Sequence, residues 1–247
     1  MFQALKEHWR EAKSLGPLKA EWARVCPDDA LRGELWEKFL QIRKGVPCPH
    51  NESHTLSFVV EMFRTSARHP GNGVFVEAGC YKGGSTAKLS HVAWHLGRKL
   101  VAFDSFQGLP ENKENHERSI FGYSIRHWFT PGEFCGSLEE VRENVSTFGR
   151  IEVCEFVEGW FENTLPQFSA PILGAYIDVD LATSTKTCLK YLYPQIVPGG
   201  VLVSQDGDFP LVIDVFEDRR FWEEEVGVAM PRIDGLRESK MLRVVKT

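Results

Sequence analysis

The sequence predicts an α/β fold: a doubly wound, mainly parallel seven-stranded sheet preceded by an N-terminal helical cap. Three observations carry this. From Gly73 onward, short apolar runs alternate with helix-length segments. The runs are continuously apolar, as strands covered on both faces are. Each of the first five ends on a polar residue or a glycine, as strands do when their carboxyl ends share one edge.

The elements follow in order. Residues 1 to about 50 read as two amphipathic helices. The first carries Phe2, Leu5 and Trp9; the second starts at Asp28 or Asp29 and carries Leu31, Leu35, Trp36, Phe39 and Ile42. Gly45, Pro47 and Pro49 punctuate a loop. A further helix has Ser53 as its expected N-cap and turns Leu56, Val59, Val60 and Phe63 inward. Residues 1–70 are thus the cap and 71–247 the sheet domain.

The first strand, Val74 to Ala78, runs into Gly79 and a helix from Gly84 to Leu96. The second, Leu100 to Phe103, ends at Asp104; a long polar stretch then leads to a helix from Ser137 through Val145. The third spans Glu152 to Val157 and ends at Glu158-Gly159. The fourth, Leu173 to Ile177, ends at Asp178 and is followed by a helix from Ser184 to Ile196. Gly199-Gly200 turns into the fifth strand, Val201 to Val203, which ends at Gln205-Asp206. A helix from Val212 to Glu225 and a pair of strands at Met230–Ile233 and Met241–Val245 complete the chain. No internal repeat or low-complexity stretch interrupts it.

A chain of 247 residues with 43% hydrophobic and 12% aromatic content can bury a sizeable core. Its 29 Lys+Arg against 34 Asp+Glu give a net charge of −5, no field for a polyanion, so no nucleic-acid partner is expected. No apolar run approaches the roughly 20 residues of a membrane span. Met1 to Arg10 lack the apolar stretch of a signal peptide. The expectation is a soluble, cytoplasmic protein with no membrane partner. Cys26, Cys48, Cys80, Cys135, Cys154 and Cys188 stand singly, with neither metal nor redox spacing.

In a sheet of this kind ligands bind beyond the carboxyl ends, at the switch point of strand order. Glu77, Asp104, Glu158-Gly159, Asp178, Asp180 and Gln205-Asp206 all fall there. The loop Gly79-Cys80-Tyr81-Lys82-Gly83-Gly84-Ser85 lets the backbone approach a ligand, but Tyr81 occupies the place of the second glycine in a dinucleotide fingerprint. Glu77 disfavours a nearby pyrophosphate and suits a ligand carrying an ammonium. Asp104 stands where a carboxylate accepts both hydroxyls of a ribose. Loop and Asp104 together indicate an adenosine-containing ligand, a nicotinamide or S-adenosylmethionine.

Five blocks in order carry a family resemblance: Val76 to Ser85, Ala102 to Pro110, Glu158 to Pro166, Asp178 to Thr185, and Leu192-Tyr193-Pro194 with Pro198-Gly199-Gly200. In these the chain resembles the macrocin O-methyltransferase family, class I S-adenosylmethionine-dependent enzymes with a Rossmann-like sheet that methylate sugar hydroxyls of natural products. The resemblance implies that Glu77, Gly79 and Ser85 surround the methionine part of the cofactor. Asp104 would hold the ribose, Gly159 and Trp160 would border the adenine, and Ser105 and Asp178 would join this cofactor-binding set. Phe106 and Phe161 read equally as core aromatics, and Thr164 with Pro166 as a helix start.

A sugar hydroxyl is scarcely ionised at neutral pH, so a divalent cation and a carboxylate base assist its attack. The resemblance implies Asp178, Gln205 and Asp206 as ligands of Mg2+ and Asp180 as the catalytic base. Gln205 departs from the family, which has Asp there; its carbonyl is still a hard donor, and the ligand charge falls from −3 to −2. Gly207-Asp208-Phe209-Pro210 also departs from the family's Tyr-Gly, and Asp208 reads as a turn residue in preference to an extra polar contact to substrate. Ala182-Thr183-Ser184-Thr185 lacks the aromatic that often follows the Asp-x-Asp, which implies an altered acceptor pocket. The stretch from Pro110 to Phe134 reads as acceptor-specific structure, in which His116 and His127 read as surface histidines. Lys82 reads as an anion contact or a solvated turn residue, and Glu223-Glu224-Glu225 as an exposed helix face. The expected partner is a small-molecule hydroxyl acceptor; the resemblance further implies a homodimer.

Overall fold

The strands are β1 (Val74–Ala78), β2 (Leu100–Asp104), β3 (Cys154–Glu158), β4 (Ile172–Ile177), β5 (Ile196–Ser204), β6 (Ile233–Asp234) and β7 (Leu242–Val245). They form one sheet in the order β3-β2-β1-β4-β5-β7-β6. The first five pair in parallel, while β7 runs antiparallel to both β5 and β6. The expected doubly wound, mainly parallel seven-stranded sheet is therefore present. The chain builds outward from β1 through β2 to β3, then crosses back to β4. The switch point lies between β1 and β4, where a crevice must open at the carboxyl ends.

This computed structural model describes residues 15–49 and 51–247. The expected first helix with Phe2, Leu5 and Trp9 lies outside the described residues. Residues 15–25 are helical (α1). Helix α2 (Asp29–Gly45) is capped by Asp28, whose carboxylate accepts from the Leu31 nitrogen. Helix α3 (Glu52–Arg68) is capped by Asn51 instead of Ser53, because the Asn51 side chain accepts from both the nitrogen and the hydroxyl of Ser53. Helices α4 (Gly84–His95), α5 (Leu138–Phe148), α6 (Phe161–Thr164), α7 (Ala182–Leu192) and α8 (Pro210–Glu217) follow.

Strand residues alternate between two cores, as the two-residue period demands, except where the register shift between Ile172 and Gly174 resets the alternation in β4. Phe75, Leu173 and Tyr176 join Trp22, Phe39, Phe58 and Leu89 from α1 to α4. Val76, Ile177 and Leu202 join Leu189, Phe216 and Trp222 on the other face. Helix α3 is also tied to α4 by a buried ion pair, Glu52 to Lys88 at 2.9 Å. Edge strand β3 is only partly buried and carries Glu155 and Glu158, a charged edge that discourages pairing with another sheet.

Several boundaries differ from the sequence expectation. Helix α7 begins two residues early and gives way at Tyr193 to a 3-10 turn containing Pro194. Strand β5 extends back to Ile196 through Pro198 and the glycine pair, with a register shift against β4. The helix expected from Val212 to Glu225 is interrupted at Asp218, which caps a new turn through the Phe221 nitrogen, and continues as a π-type turn, Trp222–Val226. None of the six cysteines forms a disulfide. Among the described residues no helix is long and apolar enough to cross a membrane.

Candidate active site

The loop after β1 is held from both sides. The Gly79 nitrogen donates to the Phe103 carbonyl at 2.9 Å, and the Asp178 nitrogen donates to the Ala78 carbonyl at 2.9 Å. Asp104 stitches the loop further: one carboxylate oxygen accepts from the Cys80 nitrogen at 2.6 Å, the other from the Phe106 nitrogen at 2.7 Å. Burial raises its pKa, and these N–H donors oppose the rise. The Tyr81 nitrogen and the Ser105 hydroxyl also act on this carboxylate and oppose the rise. Phe106 is a core residue, buried beside Cys80, Ala87 and Ala102.

Glu77 sits fully buried behind the loop. The hydroxyls of Ser85 and Thr86 face it without closing full hydrogen bonds. Burial pushes its carboxyl up to about 7, with those hydroxyls working against the shift. A carboxylate so poorly satisfied is poised for a cationic or hydrogen-bonding partner.

Across the switch point, carboxylate oxygens of Asp178, Asp180 and Asp206 lie within 4.8 Å of one another. One oxygen of Asp206 accepts from the backbone nitrogens of Val179 and Asp180 at 2.9 and 3.1 Å. The other is buried with no hydrogen-bond donor. Asp180 adopts φ +60, a left-handed conformation rare for a residue other than glycine. Burial, then the charge of Asp178, pushes its carboxyl up to about 8. Asp206 is raised too, by burial and then by Asp178 and Asp180. Three hard oxygen donors that repel one another, one of them orphaned, fit a divalent cation. Gln205 turns its amide nitrogen to Asp178 at 3.4 Å, while its carbonyl accepts from the Tyr176 hydroxyl.

A cavity of about 500 Å³ spans the crevice. Gly79, Ser85, Asp104, Ser105, Trp160, Asp178, Asp180 and Gln205 line it, and so does Phe161. Glu77, Gly159 and Asp206 stand behind the wall; Gly159, at φ +140, makes the turn that precedes Trp160. Cys48, Asn51 and His54 close it from the α2–α3 connection and the start of α3, and Phe121, Tyr123, Trp128 and Phe134 from the long stretch between β2 and α5. Apart from the aromatic content of that stretch, no spacing marked these residues.

One reading of a single residue is corrected and one is refined. Asp208 does lie in a turn, as expected, but a fully buried one: it accepts from the Tyr123 hydroxyl and pairs with Lys240 at 3.3 Å. Lys240 was silent in the sequence, yet it lines the cavity. Burial pulls its pKa down, but the charges of Asp208 and Asp206 outweigh that and raise it. His116 is buried, not superficial, with its ring 4.2 Å from that of Phe129. Its Nε2 lies 3.0 Å from Glu114, a residue without sequence signal that accepts from the nitrogens of Ala182 and Thr183. Burial works to raise the Glu114 carboxyl, but the bonds from His116, Thr183 and Ala182 prevail and hold it at about 2. His127 is exposed as expected, Lys82 pairs with Glu140 at 2.8 Å, and Glu223 to Glu225 are exposed.

Comparison with known proteins agrees with this geometry. The 8-demethyl-8-(2,3-dimethoxy-alpha-L-rhamnosyl)-tetracenomycin-C 4'-O-methyltransferase of Streptomyces olivaceus is 31% identical over 154 residues, 60% of this chain and 58% of that relative. The demethyldecarbamoylnovobiocin O-methyltransferase of Streptomyces niveus is 30% identical over 139 residues, 54% of this chain and 52% of that relative. The chain thus spans little more than half the length of either. The solved O-methyltransferase NovP shares the fold, with a TM-score of 0.61 at 22% identity over 78% of this chain and 80% of that one. The profile of the macrocin-O-methyltransferase (TylF) family matches residues 55–236, from within α3 to beyond β6, and so covers the glycine loop, Asp104 and all three clustered aspartates. It is to this family that the chain belongs.

Proposed function

We propose that the protein is an S-adenosylmethionine-dependent O-methyltransferase, assisted by Mg2+, that acts on a hydroxyl of a small natural product or sugar moiety. One observation carries the reading: a single cavity joins the glycine loop and Asp104 to the carboxylates of Asp178 and Asp180, with Asp206 behind them. When bound, S-adenosylmethionine supplies an electrophilic methyl group, and magnesium supplies the positive charge that favours an ionised hydroxyl.

The residues divide the work. The carboxylate of Asp104, on the cavity wall, accepts the ribose hydroxyls, and Trp160 borders the adenine. Gly79 and Ser85 border the methionine part, with Ser105 beside the ribose and Gly159 behind the adenine wall. Glu77, unsatisfied behind the loop, answers the charge of the ammonium. Asp178 and Asp206 hold the cation, with Gln205 beside them. Asp180 takes the acceptor's proton at a carboxylate oxygen, and its raised proton affinity suits a base near neutral pH. Residues 1–70 act as a cap, through Cys48, Asn51 and His54 on the cavity wall.

The test is direct. Protein, S-adenosylmethionine and Mg2+ are incubated with a panel of hydroxylated glycosides and phenols, and products are read by mass for one added methyl group. No product from any acceptor, together with no binding of S-adenosylhomocysteine, would refute the reading. A metal-independent version is favoured by Lys240, a cation already beside the aspartates; turnover unchanged by EDTA would select it. The homodimer rests on the family resemblance, and light scattering measures it.

A further inference from the structure

Helix α7 begins two residues after Asp180, and its N-cap, Leu181, has no side chain able to accept a hydrogen bond. The cap comes from elsewhere. Glu114, 68 residues earlier, accepts from the Ala182 nitrogen at 2.8 Å, the Thr183 nitrogen at 2.9 Å and the Thr183 hydroxyl at 2.8 Å. On the near side of Asp180, Asp206 accepts from the nitrogens of Val179 and Asp180. The Leu181 nitrogen between them donates to the Val179 carbonyl at 2.6 Å. Two carboxylates from distant segments therefore grip the backbone on either side of a residue held at φ +60. Such a conformation persists only when its surroundings over-determine it.

Glu114 is itself fixed. His116 Nε2 meets its carboxylate at 3.0 Å, and the His116 ring packs against those of Phe129 and Phe209, which also contact each other. The Glu114 nitrogen donates to the Asn112 side chain, whose amide donates in turn to the Phe129 carbonyl. This loop is the one that places Tyr123 and Trp128 on the cavity wall.

We propose that Glu114 is a positioning residue: it couples the cavity-lining loop to the backbone of Asp180, so that the loop's seating sets the aim of that carboxylate. The proposal rests on the reading of Asp180 as the base. A displacement of the order of 1 Å at a base costs roughly a hundredfold in rate.

The experiment compares full-length wild type with Glu114→Gln and Thr183→Val. Three quantities are measured: affinity for S-adenosylhomocysteine by calorimetry, amide exchange of the peptide covering 179–184, and kcat and KM with the best acceptor from the panel. Glu114→Gln should leave the S-adenosylhomocysteine Kd within about twofold. Exchange in 179–184 should quicken about tenfold, as the loss of a cap implies. With KM nearly constant, kcat should fall between about tenfold and a hundredfold. Thr183→Val, which removes one of the three bonds, should show a smaller fall in kcat. Unchanged exchange and kcat in Glu114→Gln would overturn the proposal. So would a parallel loss of kcat, S-adenosylhomocysteine affinity and thermal stability, the mark of a general structural role. Failure of the underlying reading shows itself separately, in a wild type that neither binds S-adenosylhomocysteine nor transfers a methyl group.

Discussion

Gly79 lies so close to the backbone of Asp178 that a Cβ at Gly79 would stand 1.9 Å from the Asp178 carbonyl oxygen. The contact joins the two loops of the switch point, the glycine loop proposed to hold the cofactor and the one that starts the carboxylate cluster. Gly79 also has φ +89, where a side chain costs about 1–2 kcal/mol before any clash. Gly79→Ala must therefore push the loops apart. It should lower stability by more than that backbone cost alone and weaken S-adenosylhomocysteine binding at least about tenfold, by thermal denaturation and calorimetry.

Glu77 gives a pH dependence with a definite sign. Its carboxyl is pushed up to about 7 in the folded protein by burial, against an ordinary value of 4.5. Between those pH values the folded state holds a proton that the unfolded state has released, so stability falls as pH rises. The stabilisation is fully present below about 4.5 and lost above about 7. Glu77→Gln should flatten this slope, and at pH 8 the variant should be more stable by up to about 3 kcal/mol. Urea titrations across the pH range measure it. The same variant should bind S-adenosylhomocysteine more weakly, because the amide cannot answer an ammonium with charge.

The sheet was legible because its strands are buried on both faces and so carry unbroken apolar runs. The strand-end acids were legible for a related reason: Asp104 and Asp178 interrupt those runs at one edge. Asp208 was visible only as a departure from a motif, since its burial depends on Tyr123 and Lys240 arriving from loops far along the chain. Glu114 was invisible, because a cap supplied from 68 residues away leaves no local pattern. The one local hint was negative: Leu181 is a poor N-cap for a helix that nonetheless begins there.

The aspartate cluster predicts a metal-dependent stability. Asp178 raises the proton affinity of Asp180, and both raise that of Asp206, so the cation-free protein carries repulsion that Lys240 only partly offsets. Mg2+ should raise the melting temperature, with about 2.7 kcal/mol expected at a hundred times its Kd. Asp206→Asn keeps an oxygen for the nitrogens of Val179 and Asp180 while removing a charge. It should be at least as stable as wild type without metal, and its melting temperature should no longer respond to Mg2+. A variant that still responds as wild type does would remove Asp206 from the ligand set.

Lys240 separates the two cations this site can use. Its ammonium pairs with the fully buried Asp208 and is drawn also by Asp206 and Asp178. Lys240→Met should destabilise the protein by about 3–5 kcal/mol, because Asp208 is left buried with only the Tyr123 hydroxyl. Adding Asp208→Asn removes the stranded charge, so the double variant should recover part of that loss, a coupling of at least about 1 kcal/mol in denaturant titrations. In that double variant the positive charge beside the aspartates is gone while the fold is retained. A dication then meets less repulsion from Lys240 but also less attraction from Asp208. Because Lys240 acts on both Asp206 and Asp180, whereas Asp208 acts on Asp180 and more weakly than Lys240 does, the first change prevails. Mn2+, followed by its paramagnetic signal, should bind the double variant more tightly than wild type, on the order of a few fold. Weaker binding would mean that Asp208, and not only the three clustered aspartates, belongs to the cation's field.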